Sequence, residues 1–206
     1  YTQEAYKQKK ISKLLNPNIN NKTKIILYTP TWRPYKYNLP IIDMTDFNAE
    51  SMNLWLEDNN ACFFYTVHSG VKPSKYIKDY SRIYYINLNN HPLFDINTLM
   101  METDLLLNDY SATSTDYSLL NKAHLFFMPD YKNYWGNEDI TFIKQSDNSD
   151  SYDSYRKSLP GDEVDDFSSL IEKFEYIFSN YEKYVNKYNS KSQKLLSDFY
   201  SINNRN

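Results

Sequence analysis

Short apolar runs that alternate with helical segments are the feature that most constrains the fold of this chain. Five such runs have the compact apolar character of strands buried on both faces. They lie at Lys24–Thr29, Ala61–Val67, Arg82–Leu88, Asp104–Asn108 and His124–Met128. Helical patterns separate several of them, at Asp46–Asn59, Asp95–Thr103 and Ser114–Asn121. This alternation predicts βαβ units and therefore an α/β fold with a mainly parallel sheet.

Three further segments have less regular patterns. A Lys-rich helix is expected over Thr2–Leu15, ended by Asn16 and Pro17. A weaker sixth strand is expected over Ile140–Lys144. The Ser/Asp-rich stretch Asp147–Asp153 is predicted to be a solvent-exposed loop.

The last part of the chain predicts a long helix over Phe167–Tyr200, with a break near Asn189 and Ser190. Its apolar side chains recur at helical spacing and form one stripe, made of Tyr181, Tyr184, Val185 and Tyr188. Such a stripe needs a partner surface. That surface is either the domain's own sheet or a missing second domain.

Composition excludes several classes of function. Only three glycines occur in 206 residues, which excludes a glycine-rich phosphate loop, so a phosphate site must use helix N-termini and side chains. A net charge of −3 gives no electrostatic basis for binding nucleic acid. Cys62 stands alone in an apolar run and is predicted to be buried, which fits a reducing cytoplasm. No His or Cys pair has metal-ligand spacing, and no apolar stretch is as long as a membrane span.

Polar side chains follow the predicted strands, at the edge of a parallel sheet where ligands bind. The first strand is followed by Thr29–Arg33, the second by His68, the third by His91 and the fourth by Asp109–Ser114. Cationic, imidazole and hydroxyl groups therefore collect along one edge of the sheet. Such an edge is suited to an anionic ligand.

The turn between the fourth strand and the following helix is the most informative piece. Ser111, Thr113 and Ser114 stand where the helix begins, and the N–H groups of a helix start can bind phosphate. Alternatively these hydroxyls only cap the helix, because every helix must satisfy those donors. Arg33 is either a bidentate phosphate ligand or a surface arginine, and His68 is either a ligand contact or a structural histidine.

Four blocks of the sequence match a known pattern in the right order. ILYTPTWR at Ile26–Arg33 resembles the motif YxPTxR, and FFYTVH at Phe63–His68 resembles a strand that ends in LHP. The most specific block, DLLLNDYSATSTDYSLLNKAHLFFMPD at Asp104–Asp130, resembles SDVLITDYSSxxFDFxLLxKPxxFYxPD. KSLPGDEVDDFSSLIEKF at Lys157–Phe174 resembles PGPxxxxxxELIxxI. Together the blocks resemble the CDP-glycerol glycerophosphotransferase family, which builds glycerol-phosphate polymers for bacterial cell surfaces.

The resemblance implies a GT-B architecture, in which two Rossmann-like domains face each other across a cleft. This chain would be the C-terminal one, with a helix and linker at 1–23, a CDP-polyol-binding domain at 24–180 and a helix at 181–206 that crosses to the missing domain. His68 and Asp116 are implied as catalytic residues, with the general base in the absent N-terminal domain. The residues implied to bind the donor and its pyrophosphate are Arg33, Thr31, Ser111, Ala112, Thr113 and Asp109.

The implied reaction transfers glycerol phosphate, or a similar polyol phosphate, from CDP-glycerol or CDP-ribitol to the hydroxyl end of a growing teichoic acid or capsule polymer. CMP is released, and no cofactor is implied besides this donor. The acceptor would be lipid-linked and bound through the missing domain, at the cytoplasmic face of the cell membrane. The Lys-rich start of the chain would then contact anionic headgroups or be a solvated face. A chain that begins at Tyr1 is expected to be a fragment that binds donor without turnover.

Two departures from the family pattern keep other functions open. Ala112 replaces the second serine of DYSS, and Trp135 stands beside Gly136 where the pattern has an arginine. These changes fit a different polyol donor, or a non-catalytic nucleotide-binding or assembly module. A third class is a GT-B nucleotide-sugar glycosyltransferase or epimerase, which would prefer UDP to CDP.

Overall fold

The computed structural model describes residues 9–33, 41, 46–66, 80–87, 95–135 and 148–200, without the side chains of 148–152 and 199–200. Six strands form one sheet in which every neighbouring pair is parallel. They are β1 (Lys24–Tyr28), β2 (Ala61–Thr66), β3 (Ile83–Ile86), β4 (Leu105–Asn108), β5 (Ala123–Phe127) and β6 (Asp162–Val164). The Rossmann-like parallel sheet predicted from the sequence is confirmed.

Helices flank this sheet in the described ranges. They are α1 (Lys10–Leu15), α2 (Ala49–Asp58), α3 (Ile96–Glu102), α4 (Thr113–Ser118), α5 (Tyr131–Trp135), α6 (Asn148–Ser158), α7 (Phe167–Ser179) and α8 (Tyr181–Tyr200). None of these described helices combines the length and the hydropathy that a membrane crossing requires.

The order of the strands is β3-β2-β1-β4-β5-β6. The chain adds β2 and β3 on one side of β1 and then returns to add β4 on the other side. Ile26 of β1 is accordingly aligned with Phe63 of β2 and with Leu105 of β4. The direction of winding thus reverses between β1 and β4. In open parallel sheets the crevice at such a reversal, at the carboxyl ends of the strands, is where ligands bind.

Alternate residues of each strand pack on opposite faces of the sheet. Ile26 and Leu105 belong to a large apolar cluster covered by α2, α7 and α8. Ile25 and Leu106 belong to a second cluster, covered by α1, α3 and α4. Because both faces are covered, the strands appear in the sequence as continuous apolar runs. Cys62 is buried in the second cluster, as predicted, and burial raises the pKa of its thiol.

The stripe of α8 packs on this domain's own sheet. Tyr184, Val185 and Tyr188 are buried in the same cluster as the strand residues. The hydroxyl of Tyr181 donates to the carbonyl of Asp104 at 2.7 Å, just before β4, and that of Tyr184 donates to the carbonyl of His124 at 2.8 Å, near the start of β5. The helix therefore crosses the amino-terminal edge of the sheet, opposite the edge where ligands are expected.

Two predictions about irregular segments are wrong. The Ser/Asp-rich stretch is helical from Asn148 onward, as part of α6, because Tyr155 packs beside the cluster of Phe126, Met128 and Leu159 and anchors the helix. The C-terminal helices are separated at Asn180, whose side-chain amide donates to the carbonyl of Tyr176 at 3.0 Å. The backbone remains helical through 189–190, where both residues are exposed.

The sixth strand of the described sheet is one that the sequence pattern does not predict. It is Asp162–Val164, which pairs with β5 in the register Leu125 to Asp162 and Phe127 to Val164. The expected strand at Ile140–Lys144 lies outside the described residues, as do the first residues of the helix predicted over Thr2–Leu15.

Candidate functional site

The carboxyl ends of β1 and β4 meet at the reversal point of the sheet. Tyr28 is aligned with Leu107, and the N–H of Thr29 donates to the carbonyl of Leu107 at 3.1 Å. The Thr29 hydroxyl also donates to the side-chain carbonyl of Asn108 at 3.3 Å. These bonds fix the two chain segments side by side. The residues that follow each strand are thereby brought together.

Asp109 is the hub of this edge. Its carboxylate accepts the Thr31 N–H at 2.9 and 3.0 Å and the Thr31 hydroxyl at 2.7 Å. It also accepts an Arg33 N–H at 2.7 Å and the N–H of Tyr110 at 2.6 Å. The residue is fully buried, and a buried carboxylate is tolerated only when its oxygens are satisfied in this way. Three of the predicted site residues, Thr31, Arg33 and Asp109, are therefore in direct contact.

Arg33 lies beneath the surface of this edge. Its Nη1 donates to Asp109 and to the carbonyl of Thr31, the latter at 2.6 Å, while Nε and Nη2 donate to the two carboxylate oxygens of Asp130 at 2.8 and 3.1 Å. The guanidinium also lies 5.0 Å from the ring centre of Tyr110 and 5.1 Å from that of Tyr134. Burial lowers the pKa of Arg33, but the two carboxylates outweigh it and hold the pKa above its usual value. Arg33 is thus not a surface arginine; a direct contact with phosphate stays a prediction.

The turn after Asp109 is built from short-range hydrogen bonds. The Asn108 amide donates to the carbonyl of Ser111 at 3.0 Å, and the hydroxyls of Ser111 and Thr113 lie 2.7 Å apart. The Thr113 N–H donates to the Ser111 hydroxyl at 3.3 Å, and the Ser114 hydroxyl donates back to the Ser111 carbonyl at 3.1 Å. This geometry agrees with both helix capping and ligand binding. The hydroxyls satisfy local backbone groups, and Ser111 and Thr113 are also partly exposed.

Ala112 occupies the position just before α4 and has no side chain that could cap the helix. In the described part of the chain, the N–H groups of Ser111 and Ala112 donate to no other residue. Ala112 itself is exposed. The substitution of serine by alanine at this position leaves the amide donor in place.

Asp116 and His68 complete the set of predicted site residues. Asp116 lies in the first turn of α4 and is exposed. Its predicted role towards the ligand stays a prediction. His68 lies outside the described residues, so the structure brings together Thr31, Arg33 and Asp109 but does not report on the histidine.

Three residues of this edge were missed by the sequence reasoning. Asp130 follows β5 and grips Arg33, Tyr134 stacks on Tyr110 with ring centres 3.8 Å apart, and the hydroxyl of Tyr155 donates to the carbonyl of Asp109 at 2.6 Å. Asp130 could have been found by extending the survey of strand ends to the fifth strand. The two tyrosines come from helices whose approach no local pattern indicates.

Trp32 stands between two anchored residues and points the other way. Thr31 and Arg33 are tied to Asp109, whereas the Trp32 residue is 53% exposed. In an extended segment successive side chains alternate in direction, so anchoring the two neighbours turns the indole outward. An exposed aromatic ring is thereby held at the rim of the edge formed by β1 and β4.

The chain is similar to known proteins in both sequence and structure. The family model described as CDP-Glycerol:Poly(glycerophosphate) glycerophosphotransferase matches residues 1–198. The teichoic acid glycerol-phosphate primase of Bacillus subtilis (strain 168) is 34% identical over 198 residues, 92% of this chain and 46% of that protein. A teichoic acid ribitol-phosphate polymerase of Staphylococcus aureus (strain NCTC 8325 / PS 47) is 26% identical over 72% of this chain and 24% of its own length. The chain spans less than half the length of these relatives.

Solved structures share the fold. The wall teichoic acid polymerase TagF aligns over 98% of this chain and 45% of its own, with a TM-score of 0.65 and 20% identity. A variant of TagF soaked with CDPG aligns over 98% of this chain and 43% of its own, with a TM-score of 0.63 and 22% identity. At these sequence identities the comparison shows a shared fold and nothing more.

Proposed function

Because the chain belongs to the CDP-glycerol:poly(glycerophosphate) glycerophosphotransferase family, we propose that it is the donor-binding half of a teichoic acid transferase. The enzyme moves glycerol phosphate, or a similar polyol phosphate, from a CDP-activated donor to the hydroxyl end of a growing polymer. The curated relatives include both glycerol-phosphate and ribitol-phosphate enzymes, which supports a CDP-polyol without naming the polyol.

The observation that carries the proposal is the convergence of Thr31, Arg33 and Asp109 on the turn that presents Ser111 and Ala112. Two N–H groups with no partner in the described residues and two partly exposed hydroxyls lie together at the sheet reversal. Such donors suit the oxygens of a diphosphate, and charge-assisted bonds of this kind are the stronger class of hydrogen bond. The donor's diphosphate is assigned to this turn.

The chemistry is a phosphoryl transfer. A hydroxyl oxygen of the acceptor attacks the phosphorus that carries the glycerol, the bond from that phosphorus to the CMP oxygen breaks, and the hydroxyl proton passes to a general base. Catalysis then consists mainly of positioning and of stabilising charge on the phosphoryl oxygens. Ser111, Ala112 and Thr113 supply neutral donors for that charge, and Asp116 is assigned to hydroxyls of the ligand. His68 is assigned to phosphate charge.

The rest of the enzyme is proposed from the family. The chain covers less than half of its relatives, so the acceptor site and the general base are assigned to a second Rossmann-like domain of a GT-B enzyme. The acceptor is assigned as a lipid-linked polymer, which would place the enzyme at the cytoplasmic face of the membrane. The Lys-rich start of the chain is a candidate for contact with anionic headgroups.

Calorimetric titration tests the donor assignment. CDP-glycerol, CDP-ribitol and CMP are titrated into the folded chain, with a UDP-sugar as comparison. We expect a CDP-polyol to bind more tightly than the UDP-sugar, and Ser111→Ala to weaken binding by about 1.5–3 kcal/mol, roughly ten- to a hundredfold. The matched control is Ser168→Ala, an exposed serine in the first turn of α7.

Other results would redirect the assignment. A folded parent that binds none of the CDP compounds favours a non-catalytic assembly module. Preference for the UDP-sugar favours a nucleotide-sugar enzyme of the same architecture. Equal binding by the parent and Ser111→Ala removes the turn from the donor site.

A further inference from the structure

Asp130 is a buried carboxylate at the end of β5 that the proposed reaction does not use. It is 9% exposed, and its two oxygens accept Nε and Nη2 of Arg33 at 2.8 and 3.1 Å. This is the two-pronged geometry that fixes a guanidinium in both distance and orientation. Asp130 therefore determines where Arg33 lies.

Arg33 in turn bonds across the neighbouring strand end. Its Nη1 donates to Asp109 at 2.7 Å, and the side chains of both residues are completely enclosed. The carboxylate–guanidinium–carboxylate row thus joins the ends of β1, β4 and β5, which are consecutive in the sheet. Tyr155 adds a fourth attachment, from α6 to the carbonyl of Asp109. The end of β4, where the donor turn starts, is therefore linked to the end of β1, through Arg33 to Asp130 after β5, and to α6.

The charges in this row do not favour attraction of an anion. Two carboxylates and one guanidinium carry one net negative charge directly below the turn assigned to a diphosphate. The three guanidinium nitrogens of Arg33 all donate to carboxylates, and Nη1 also donates to the carbonyl of Thr31. The row of Asp109, Arg33 and Asp130 must therefore serve the site by fixing the position of the turn, not by attracting the anion.

We propose that Asp130 and Arg33 are positioning residues of the donor site, which fix Asp109 so that the amides of Ser111 and Ala112 face the phosphates of the CDP-polyol. The inference rests on the proposed function. It gives Arg33 a role through Asp109 instead of a contact with phosphate. A misplacement of about 1 Å can cost about a hundredfold, which is why a site of neutral donors needs such a support.

Asp130→Asn separates this role from a direct phosphate contact, because the two predict opposite signs. The amide cannot accept both Arg33 donors, so the row loosens and one negative charge is removed. A directly binding Arg33 would be released towards the phosphate, and CDP-polyol binding would tighten. Positioning predicts that binding weakens, by roughly ten- to a hundredfold. Arg33→Lys should weaken it similarly, because lysine keeps the charge but cannot make the two-pronged bond.

The experiment measures CDP-glycerol and CDP-ribitol binding by calorimetry, together with deuterium uptake of the segment 109–116. The control is Arg156→Lys, a matched change in a partly exposed ion pair with Glu163. Positioning predicts faster uptake in segment 109–116 of Asp130→Asn, with the remaining strands exchanging as in the parent. A merely structural residue would accelerate exchange across all strands. Equal affinity and equal uptake in Asp130→Asn and the parent would overturn the inference.

If Asp130→Asn does not fold, Arg33→Lys carries the test, because lysine keeps the charge but loses the two-pronged bond to Asp130. Unchanged uptake and unchanged affinity in that variant overturn the inference. If the parent binds no CDP-polyol, the proposed function fails, and uptake restricted to segment 109–116 still supports the row as the support of this turn.

Discussion

Arg33 and Asp109 form an ion pair 2.7 Å long in which neither side chain has any exposed surface. A buried ion pair adds little to the free energy of unfolding compared with apolar side chains of similar volume. Removing one partner, however, leaves an uncompensated charge in the interior. The consequences for stability can be predicted separately from those for binding.

Arg33→Met should destabilise the fold by about 3–5 kcal/mol, because it strands the Asp109 and Asp130 carboxylates without their shared cation. Arg156→Met, in a pair whose arginine side chain is 48% exposed, should cost about 1 kcal/mol or less. Both values follow from denaturant unfolding monitored by circular dichroism. Equal costs for the two variants would contradict the buried network.

His124 should make the fold sensitive to mild acid. The residue is 1% exposed, neither ring nitrogen has a hydrogen-bond partner among the residues that the structure describes, and burial lowers its pKa to about 3. Below about pH 6.5 the unfolded chain binds a proton at this histidine that the folded chain does not. The contribution of neutral His124 to the free energy of unfolding is therefore fully present above about pH 6.5. It is lost as the pH falls below that value, by up to about 1.4 kcal/mol per pH unit.

His124→Leu tests this pH dependence. The free energy of unfolding is measured for the parent and the variant from pH 7 to pH 5, where Asp and Glu side chains contribute little. We expect a shallower slope in the variant and no loss of stability at pH 7, since the imidazole nitrogens have no hydrogen-bond partner within the described ranges. Parallel slopes would show that His124 is not the source.

Gly161→Ala should destabilise the connection into β6. A methyl group at this position would lie 2.8 Å from the carbonyl carbon of His124 and closer still to its oxygen. Because the obstacle is backbone, either β5 or the turn must shift, at a cost of about 1–3 kcal/mol. Thermal unfolding of the variant is compared with that of Ser168→Ala, whose side chain is exposed. An unchanged melting temperature would mean that β6 does not pack against β5 as described.

Tyr184→Phe should cost about 1–3 kcal/mol through the loss of two hydrogen bonds. The hydroxyl accepts the N–H of Asp162 and donates to the carbonyl of His124, each at 2.8 Å. Tyr176→Phe is the matched control, because Tyr176 is 41% exposed. Denaturant unfolding gives both values, and the argument requires the Tyr184 variant to be clearly the less stable.

The five strands that periodicity predicts are the ones with both faces covered. Their apolar runs are long enough to be read directly, and their boundaries fall within two residues of the observed ones wherever the structure describes them. The sixth strand escapes because Asp162–Val164 is short, lies at the sheet edge and carries two acidic residues. Its pairing is determined by β5 and Tyr184, which no local pattern encodes.

The sequence predicts which strand ends form the site, but not the hydrogen bonds that join their residues. The rule that ligands bind beyond the strand ends selects Thr31, Arg33 and Asp109 correctly as neighbours. It cannot reveal that Arg33 is bonded to Asp130, because the two residues lie 97 positions apart in the chain. Nor can it distinguish a guanidinium that faces the ligand from one enclosed below it, since that depends on tertiary packing.

The contacts of helix α8 limit how far the chain can be truncated from its C-terminal end. Its tyrosines close the amino-terminal edge of the sheet, with Tyr181 bonded to Asp104 and Tyr184 to His124. A shortened version ending at Asn180 would uncover the bottom of β4 and β5, and its exposed apolar surface would favour aggregation. Crystallisation or fusion designs therefore have to retain the chain at least through Ser192, which is still buried.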